Sequence, residues 1–203
     1  MPSLSLLLVN LYHRDGERKV VPYLQQVAEA ALLSGVDLAT TVTSWGERPV
    51  AFGRCEAVML TGSHRMISAG EYDETLAAWV RECPLPLLGI CYGHQLLARA
   101  FGGGVVKDRR RHQGPETLNW RTASPLREGL PDRSVMVESH EEVVLFDAPL
   151  ADSFRLLAEN DEGGVEAIVH RDRPLFGVQF HPEQSGEPGR TLLTNFLRLA
   201  ASR

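Results

Sequence analysis

Cysteine, long apolar runs and net positive charge are all scarce in this 203-residue chain. Its three cysteines are odd in number and widely spaced, which argues against a disulfide framework and favours a reducing, cytoplasmic compartment. The longest apolar run, residues 6–9, is far shorter than the ~20 residues of a membrane-spanning helix, and no basic segment typical of a signal peptide precedes it. The formal net charge of −5 argues against bulk electrostatic binding of nucleic acid. We therefore expect neither a membrane nor a nucleic-acid partner.

What the chain does contain is an ordinary globular composition, with 43% hydrophobic and 23% charged residues. No internal repeat, low-complexity segment or linker interrupts it. The length is typical of one domain with one hydrophobic core. We therefore expect residues 1–203 to form a single domain.

The first half of the chain alternates short apolar runs with longer amphipathic ones. Nearly continuous Leu and Val residues predict buried strands at residues 4–9, 57–60 and 87–90. Apolar residues at helical spacing predict helices at residues 23–33, beginning at Pro22, from Asp73 to about residue 80, and from 92 to 101. This alternation predicts an α/β fold with a mostly parallel central sheet flanked by helices.

The second half has a different pattern, with short strand candidates separated by turn residues. These strands are expected at residues 135–137, 143–146, 154–158, 165–169 and 175–180. A hairpin turn is expected at residues 161–164, and a last helix from Pro188 or Gly189 to about Ala201. The pattern predicts an additional, smaller antiparallel β region.

The segment Gly89-Ile90-Cys91-Tyr92-Gly93 lies where a predicted strand meets a predicted helix. A G-x-C-x-G pattern there is typical of a nucleophile elbow, in which a sharp turn presents the nucleophile and small neighbours let strand and helix approach. The positive end of the following helix favours a thiolate and stabilises an oxyanion. We therefore predict that Cys91 is a nucleophile; the alternative is a small buried cysteine beside a glycine-rich turn.

His181 is the best candidate for a base among the seven histidines of the chain. It follows an apolar strand and would lie at the same sheet edge as Cys91 if the two strands are parallel. Glu183, two residues further on, can reach the second imidazole nitrogen and orient the ring. Although a lone histidine at a strand end is usually structural, this combination predicts a Cys91, His181 and Glu183 triad.

The cysteine segment and the histidine segment, in this order along the chain, resemble the class I (triad-type) glutamine amidotransferase domain. The similarity rests on residues 89–95, the following Gly102-Gly103-Gly104, and residues 178–183, and it extends over most of the chain. Residues 89–95 are most similar to the glutaminase domain of the GMP synthetase branch.

The resemblance implies a function. Cys91 would attack the side-chain amide of L-glutamine to form a thioester, His181 would act as general base and then acid, and Glu183 would orient His181. The residues implied to bind the substrate are Gly62, Ser63, Tyr92, Gln95, Ser139 and His140. Gly62 and Ser63 would bind at the oxyanion loop, and Tyr92 would bind at the elbow. The resemblance implies no cofactor and no metal, and it implies that ammonia passes to a separate acceptor synthetase or synthase subunit.

The oxyanion loop departs from the family pattern. Gly62 is followed by Ser63 and His64, where the family usually has Gly-Gly-Pro. The Gly-Ser sequence also resembles γ-glutamyl peptidases of the same superfamily. Two alternatives therefore stay open: a γ-glutamyl peptide or amide hydrolase or transferase, and a non-catalytic regulatory subunit. The presence of all three triad residues counts against the second alternative.

Residues 107–112 form the one dense basic run of this acidic chain. We expect a solvated loop there. The functional alternative is a docking patch for an acceptor subunit or an anionic substrate, because the run closely follows the helix that carries the elbow.

Overall fold

The computed structural model describes residues 1–45 and 52–203. Its centre is one nine-stranded sheet with the strand order β2-β1-β3-β4-β9-β8-β7-β5-β6. The strands are β1 (Ser3–Asn10), β2 (Asp37–Ser44), β3 (Ala57–Leu60), β4 (Leu87–Ile90), β5 (Val105–Trp120), β6 (Arg133–Val144), β7 (Phe154–Asn160), β8 (Val165–His170) and β9 (Leu175–Val178). The helices are α1 (Gly16–Ser34), α2 (Glu74–Glu82), α3 (Tyr92–Ala100), α4 (Ala148–Ser153) and α5 (Gly186–Ala201). Within the described ranges, no helix combines the length and apolar character needed to cross a bilayer.

Five neighbouring strands, β2, β1, β3, β4 and β9, pair in parallel and form the half of the sheet that leads to the site. Every residue of β3 and β4 is buried, as expected for parallel strands covered on both faces. Helices α1 and α5 pack into one hydrophobic cluster, and α2 and α3 pack into the other. The predicted α/β fold with a mostly parallel central sheet is confirmed.

The predicted antiparallel region is also present, as a continuation of the same sheet. Strands β8, β7, β5 and β6 extend it from β9, and each pairs antiparallel with its neighbours. The predicted hairpin turn at residues 161–164 joins β7 to β8.

The basic run at residues 107–112 was expected to be a loop, and this expectation is wrong. The run lies in β5, a 16-residue strand. The two strands predicted at residues 135–137 and 143–146 are likewise one strand, β6, of 12 residues. Both ends of the basic run pair antiparallel with β6, Lys107 with Glu142 and His112 with His140, despite the polar sequences of both segments. A register shift between Lys107 and His112 marks the irregular part of the ribbon.

The predicted start of the first helix is wrong as well. The sequence predicts a start at Pro22, but α1 begins at Gly16 and contains Pro22 in its interior. A proline removes one helical hydrogen bond, and here the packing of buried Val20 and Tyr23 on the sheet compensates for that loss. The helix ends, as predicted, at Gly35 in the left-handed conformation with φ 70°.

Strand β2 had no counterpart in the predictions. Most of its residues are exposed, because it is the edge strand of the sheet beside β1. A polar edge strand carries little of the apolar periodicity by which strands are detected.

The final helix, α5, agrees with the prediction except that it begins at Gly186.

Candidate active site

Cys91 occupies a sharp turn between β4 and α3. Its backbone has φ 52° and ψ −105°, an unfavourable conformation for a residue with a side chain. The two flanking glycines are required by close contacts, since a Cβ at Gly89 would collide with the carbonyl oxygen of Gly93. A Cβ at Gly93 would lie 2.8 Å from the Cβ of Leu60. The G-x-C-x-G segment therefore has the strained geometry of a nucleophile elbow.

His181 follows β9, which pairs in parallel with β4 and places Val178 opposite Ile90. This pairing brings His181 to the sheet edge that carries Cys91. The Nδ1 atom of His181 lies 2.7 Å from Oε1 of Glu183, and both side chains are buried. The backbone N–H of His181 donates to the carbonyl of Val137 at 2.8 Å, which anchors the segment to β6.

The electrostatic environment of His181 favours its protonated form. Burial alone disfavours the imidazolium, but the carboxylate of Glu183 and the sulfur of Cys91 outweigh it and raise the pKa of His181 well above its ordinary value. The imidazole is therefore suited to hold the proton of a thiolate–imidazolium pair.

A cavity of about 340 Å³ opens beside these groups. Cys91 and His181 both line it, and so do five of the six residues predicted to bind substrate: Ser63, Tyr92, Gln95, Ser139 and His140. The structure thus brings together residues from four separate parts of the chain. Lys19, Arg65 and Arg111 also line it.

The sixth predicted residue, Gly62, is not among the residues that line the cavity. Its N–H donates to the hydroxyl of Tyr23 at 3.1 Å, and a Cβ at Gly62 would lie 3.4 Å from Cε1 of His181. Ser63 is held by its own hydroxyl, which donates to the carbonyl of Leu11 at 2.9 Å. Tyr92 is the first residue of α3, so its backbone N–H has no acceptor within the helix.

The remaining wall of the cavity comes from α3 and β6. The thiol of Cys91 lies 3.9 Å from the carbonyl oxygen of Ser139 and donates toward it. Gln95 is held in place by its Nε2, which donates to the carbonyl of Glu142 at 3.1 Å and to Oε1 of Gln179 at 3.2 Å.

Sequence reasoning missed Glu142, which fastens the loop after Ser63 to β6. Its buried carboxylate accepts from the backbone N–H groups of Ile67 at 2.8 Å and Ser68 at 2.7 Å. Tyr92 adds a second tie, because its hydroxyl donates to the carbonyl of Glu71 at 2.9 Å. Glu142 follows another glutamate in a polar segment, a pattern typical of a solvated strand, so no local signal marked it. Tyr23, which holds Gly62, was likewise visible only as a helix residue.

Fold and site together define the class of this protein: an α/β protein with a cysteine at a nucleophile elbow and a histidine–glutamate pair at the end of the adjacent parallel strand. The family model of the class-I glutamine amidotransferases matches residues 7–200. The chain belongs to this family.

Individual relatives agree with this assignment. The chain is 33% identical over 145 residues to a subunit of the glutamine-hydrolysing GMP synthase of Pyrococcus furiosus, covering 71% of this chain and 75% of that protein. It is 41% identical over 118 residues to the glutamine-hydrolysing GMP synthase of Thermobifida fusca, covering 58% of this chain but 22% of that longer protein. A solved structure from Thermoplasma acidophilum, described as a candidate GMP synthase subunit, matches with a TM-score of 0.80 at 25% identity, over 98% of this chain and 94% of that one.

Proposed function

We propose that this chain is a glutaminase subunit that hydrolyses L-glutamine through a thioester on Cys91 and delivers ammonia to a separate acceptor synthase. The observation that carries the proposal is the meeting of the Cys91 elbow with the His181–Glu183 pair at one edge of the cavity. Family membership supplies the substrate class.

In the first half of the proposed reaction, the sulfur of Cys91 attacks the side-chain amide carbon of glutamine. Charge then develops on the amide oxygen, and the backbone N–H groups of Ser63 and Tyr92 are the proposed donors to it. One such donor contributes about 3 kcal/mol to lowering the barrier. The imidazolium of His181 gives its proton to the amine, so the carbon–nitrogen bond breaks and ammonia leaves.

In the second half, water attacks the thioester carbonyl while neutral His181 accepts its proton. The carbon–sulfur bond breaks, glutamate leaves and the thiol of Cys91 is restored. Glu183 keeps Nδ1 of His181 protonated throughout, so that Nε2 faces the reacting atoms. Gln95, Ser139 and the backbone of His140 complete the proposed glutamine site.

The acceptor is proposed from the relatives. The relatives named as subunits of GMP synthase resemble this chain over most of their length, which favours a partner synthase of the GMP synthase type. A cytoplasmic location is part of the same proposal and is supported by the odd number and wide spacing of the cysteines.

The test is release of glutamate from L-glutamine by the purified chain, alone and with an acceptor subunit of the GMP synthase type. Cys91→Ala is expected to reduce this activity by at least about 10³-fold, because the covalent route is lost. Cys55→Ala, which removes a thiol outside the cavity, serves as the matched control and should retain activity. Full glutaminase activity in Cys91→Ala would refute the proposal.

A substrate panel separates glutamine hydrolysis from the γ-glutamyl alternative. Initial rates with L-glutamine are compared with those for γ-glutamyl amides that carry bulkier amines. We expect glutamine to have the highest kcat/KM. A clear preference for a bulky amide would instead assign the chain to γ-glutamyl hydrolysis.

A further inference from the structure

Three buried titratable side chains converge beside the strand that lines the cavity. Glu138 and His140 lie on the same face of β6, and Glu166 extends from β8. The exposed fractions of Glu138, His140 and Glu166 are 0%, 6% and 1%. Each side chain has one atom that could bind a metal ion, and these three atoms all lie within 4.8 Å of one another.

The hydrogen bonding of His140 determines which of its nitrogens carries the proton. Nδ1 lies 2.9 Å from the carbonyl oxygen of Glu142, which can only accept, so Nδ1 is the N–H donor. In the neutral ring, Nε2 then presents a lone pair. This lone pair faces Oε2 of Glu138 at 3.1 Å. Two electron-rich atoms at this distance repel each other unless a proton or a metal cation lies between them.

The carboxylate oxygens of Glu138 and Glu166 also present lone pairs. Among residues 1–45 and 52–203, neither oxygen of Glu138 has a hydrogen-bond partner outside the cluster, and the same holds for Oε2 of Glu166 and Nε2 of His140. The carboxyl groups of Glu138 and Glu166 lie within hydrogen-bond reach of each other. The other oxygen of Glu166 accepts from Nδ2 of Asn160 at 2.8 Å. Two carboxylates buried this close together need a proton or a metal cation to offset their charge.

We propose that Glu138, His140 and Glu166 bind a divalent transition-metal ion, with zinc as the best match. The atoms without partners provide one imidazole nitrogen and oxygens from two carboxylates, a three-residue ligand set of the kind that zinc binds. A fourth position is left for water or for the second oxygen of Glu138. The imidazole ligand disfavours magnesium and calcium. One divalent cation neutralises the two carboxylates.

The surrounding hydrogen bonds fit this assignment. Metal-binding histidines usually donate their other N–H to a carbonyl or carboxylate, as His140 does to Glu142. Asn160 similarly orients Glu166. The ion would stabilise the segment of β6 on either side of Ser139, whose carbonyl lies next to Cys91. Its role is structural, and no step of glutamine hydrolysis passes through it.

A metal ion bound here differs from the expectation of no metal. Glu138 and Glu166 are far apart in the sequence and belong to strands that are not neighbours in the sheet. No metal-binding spacing is therefore visible along the chain. The ribbon of β5 and β6 brings β6 against the segment that follows β9, where the backbone of His181 bonds to Val137.

The test uses the untagged full chain carrying Cys91→Ser, so that the Cys91 thiolate cannot bind the ion. After treatment with a chelator, Zn²⁺ is titrated calorimetrically and thermal unfolding is followed with and without it. We expect one zinc ion per chain and a higher Tm. Adding Glu166→Gln keeps an acceptor for Asn160 but should weaken binding by about 100-fold or more.

Glu162→Gln is the matched control, because Glu162 is an exposed glutamate in the turn before β8. It should bind zinc like the Cys91→Ser parent. Equal affinity in the Glu166→Gln and Glu162→Gln proteins would overturn the proposal. So would failure of the parent to bind zinc, a result that would assign the cluster to a proton shared between carboxyl groups.

A spectroscopic measurement covers the case in which Glu166→Gln does not fold. Co²⁺ bound to the Cys91→Ser protein should give visible bands typical of oxygen and nitrogen ligands. A sulfur-to-cobalt charge-transfer band would show that Cys55 or Cys83 binds the ion instead, and would refute the assignment.

Discussion

At the scale of single residues, the proposed chemistry depends on how His181 is held. Its ring is buried and Glu183 bonds to Nδ1, so charge and hydrogen bonding act on the same nitrogen. Glu183 in turn accepts from Nε2 of Gln184 at 3.2 Å. A buried carboxylate next to the ring stabilises the imidazolium more than it would in water.

Replacing Glu183 by Gln should lower the pKa of His181. The carboxylate favours the charged imidazolium, so its removal lets the ring lose its proton at a lower pH. The pKa is measured by NMR titration of the His181 ring protons. Glutaminase activity at pH 7 should fall by about 10³-fold, because Gln does not stabilise the imidazolium.

Glu187→Gln is the control for this prediction, since Glu187 is exposed in the first turn of α5. It should leave the titration of His181 unchanged. An unaltered pKa in Glu183→Gln would show that Glu183 does not set the protonation of the ring.

A second residue-scale prediction concerns Tyr23, whose hydroxyl accepts from Gly62. Tyr23→Phe leaves this buried N–H without its acceptor and should lower the free energy of unfolding by about 1–3 kcal/mol. Urea denaturation measures the change. Tyr72→Phe removes a hydroxyl from a less buried tyrosine and should change stability by less than about 1 kcal/mol.

At the scale of secondary-structure elements, the site depends on close packing between strands and a helix. Helix α3 begins directly at the end of β4, and Gly93 lies against β3. The second tie is the carboxylate of Glu142, through which β6 holds the loop that follows Ser63. Each element therefore positions a different wall of the cavity.

Gly93→Ala tests the packing of the elbow helix. In an open helix this change would stabilise by about 1 kcal/mol, because alanine is the better helix former. Here the new Cβ would lie 2.8 Å from the Cβ and 2.9 Å from the carbonyl oxygen of Leu60. We therefore expect a loss of about 1–3 kcal/mol, measured by chemical denaturation. A gain in stability would show that β3 and α3 can separate without cost.

At the scale of the whole molecule, charge is distributed unevenly. The chain has a formal net charge of −5, yet the basic run of β5 exposes several arginines near the cavity. Some are paired within the chain: Arg110 contacts Glu116 at 2.9 Å, and Arg111 contacts Glu141 at 3.9 Å. Arg111 also lines the cavity, so the run reaches the site where ammonia would form. The docking role of this run stays a prediction.

Arg109→Glu should weaken coupling to the acceptor subunit. Loss of one surface ion pair corresponds to about 0.5–1 kcal/mol, or a two- to fivefold weaker association, and the effect should shrink at high salt. The measurement compares glutamine-dependent with ammonia-dependent product formation by the complex. Glutamine hydrolysis by the chain alone should not change.

Arg203→Glu makes the same charge reversal at the last residue of the chain, beyond α5. It should leave coupling intact. If both variants couple as well as the unaltered chain, the basic run only solvates the ribbon.

Local sequence determined much of this protein. Continuous apolar runs specify β1, β3 and β4, because a strand that is covered on both faces buries apolar side chains on both sides. The glycines around Cys91 mark the elbow, since their role depends on contacts between adjacent elements. The proximity of His181 to Glu183 follows from two residues of separation. These signals also sufficed to indicate the family.

Tertiary structure alone decided the rest. The basic run lies in β5 because Lys107 and His112, at its two ends, pair with β6, and nothing in its polar sequence indicates a strand. The N–H of Gly62 bonds to Tyr23, 39 positions away, and Glu142 bonds to a loop 74 and 75 positions away. Glu138, His140 and Glu166 meet only after the sheet has formed. The physical reason is that periodicity records which face of an element is buried, whereas the partner across that face is chosen by long-range pairing and packing.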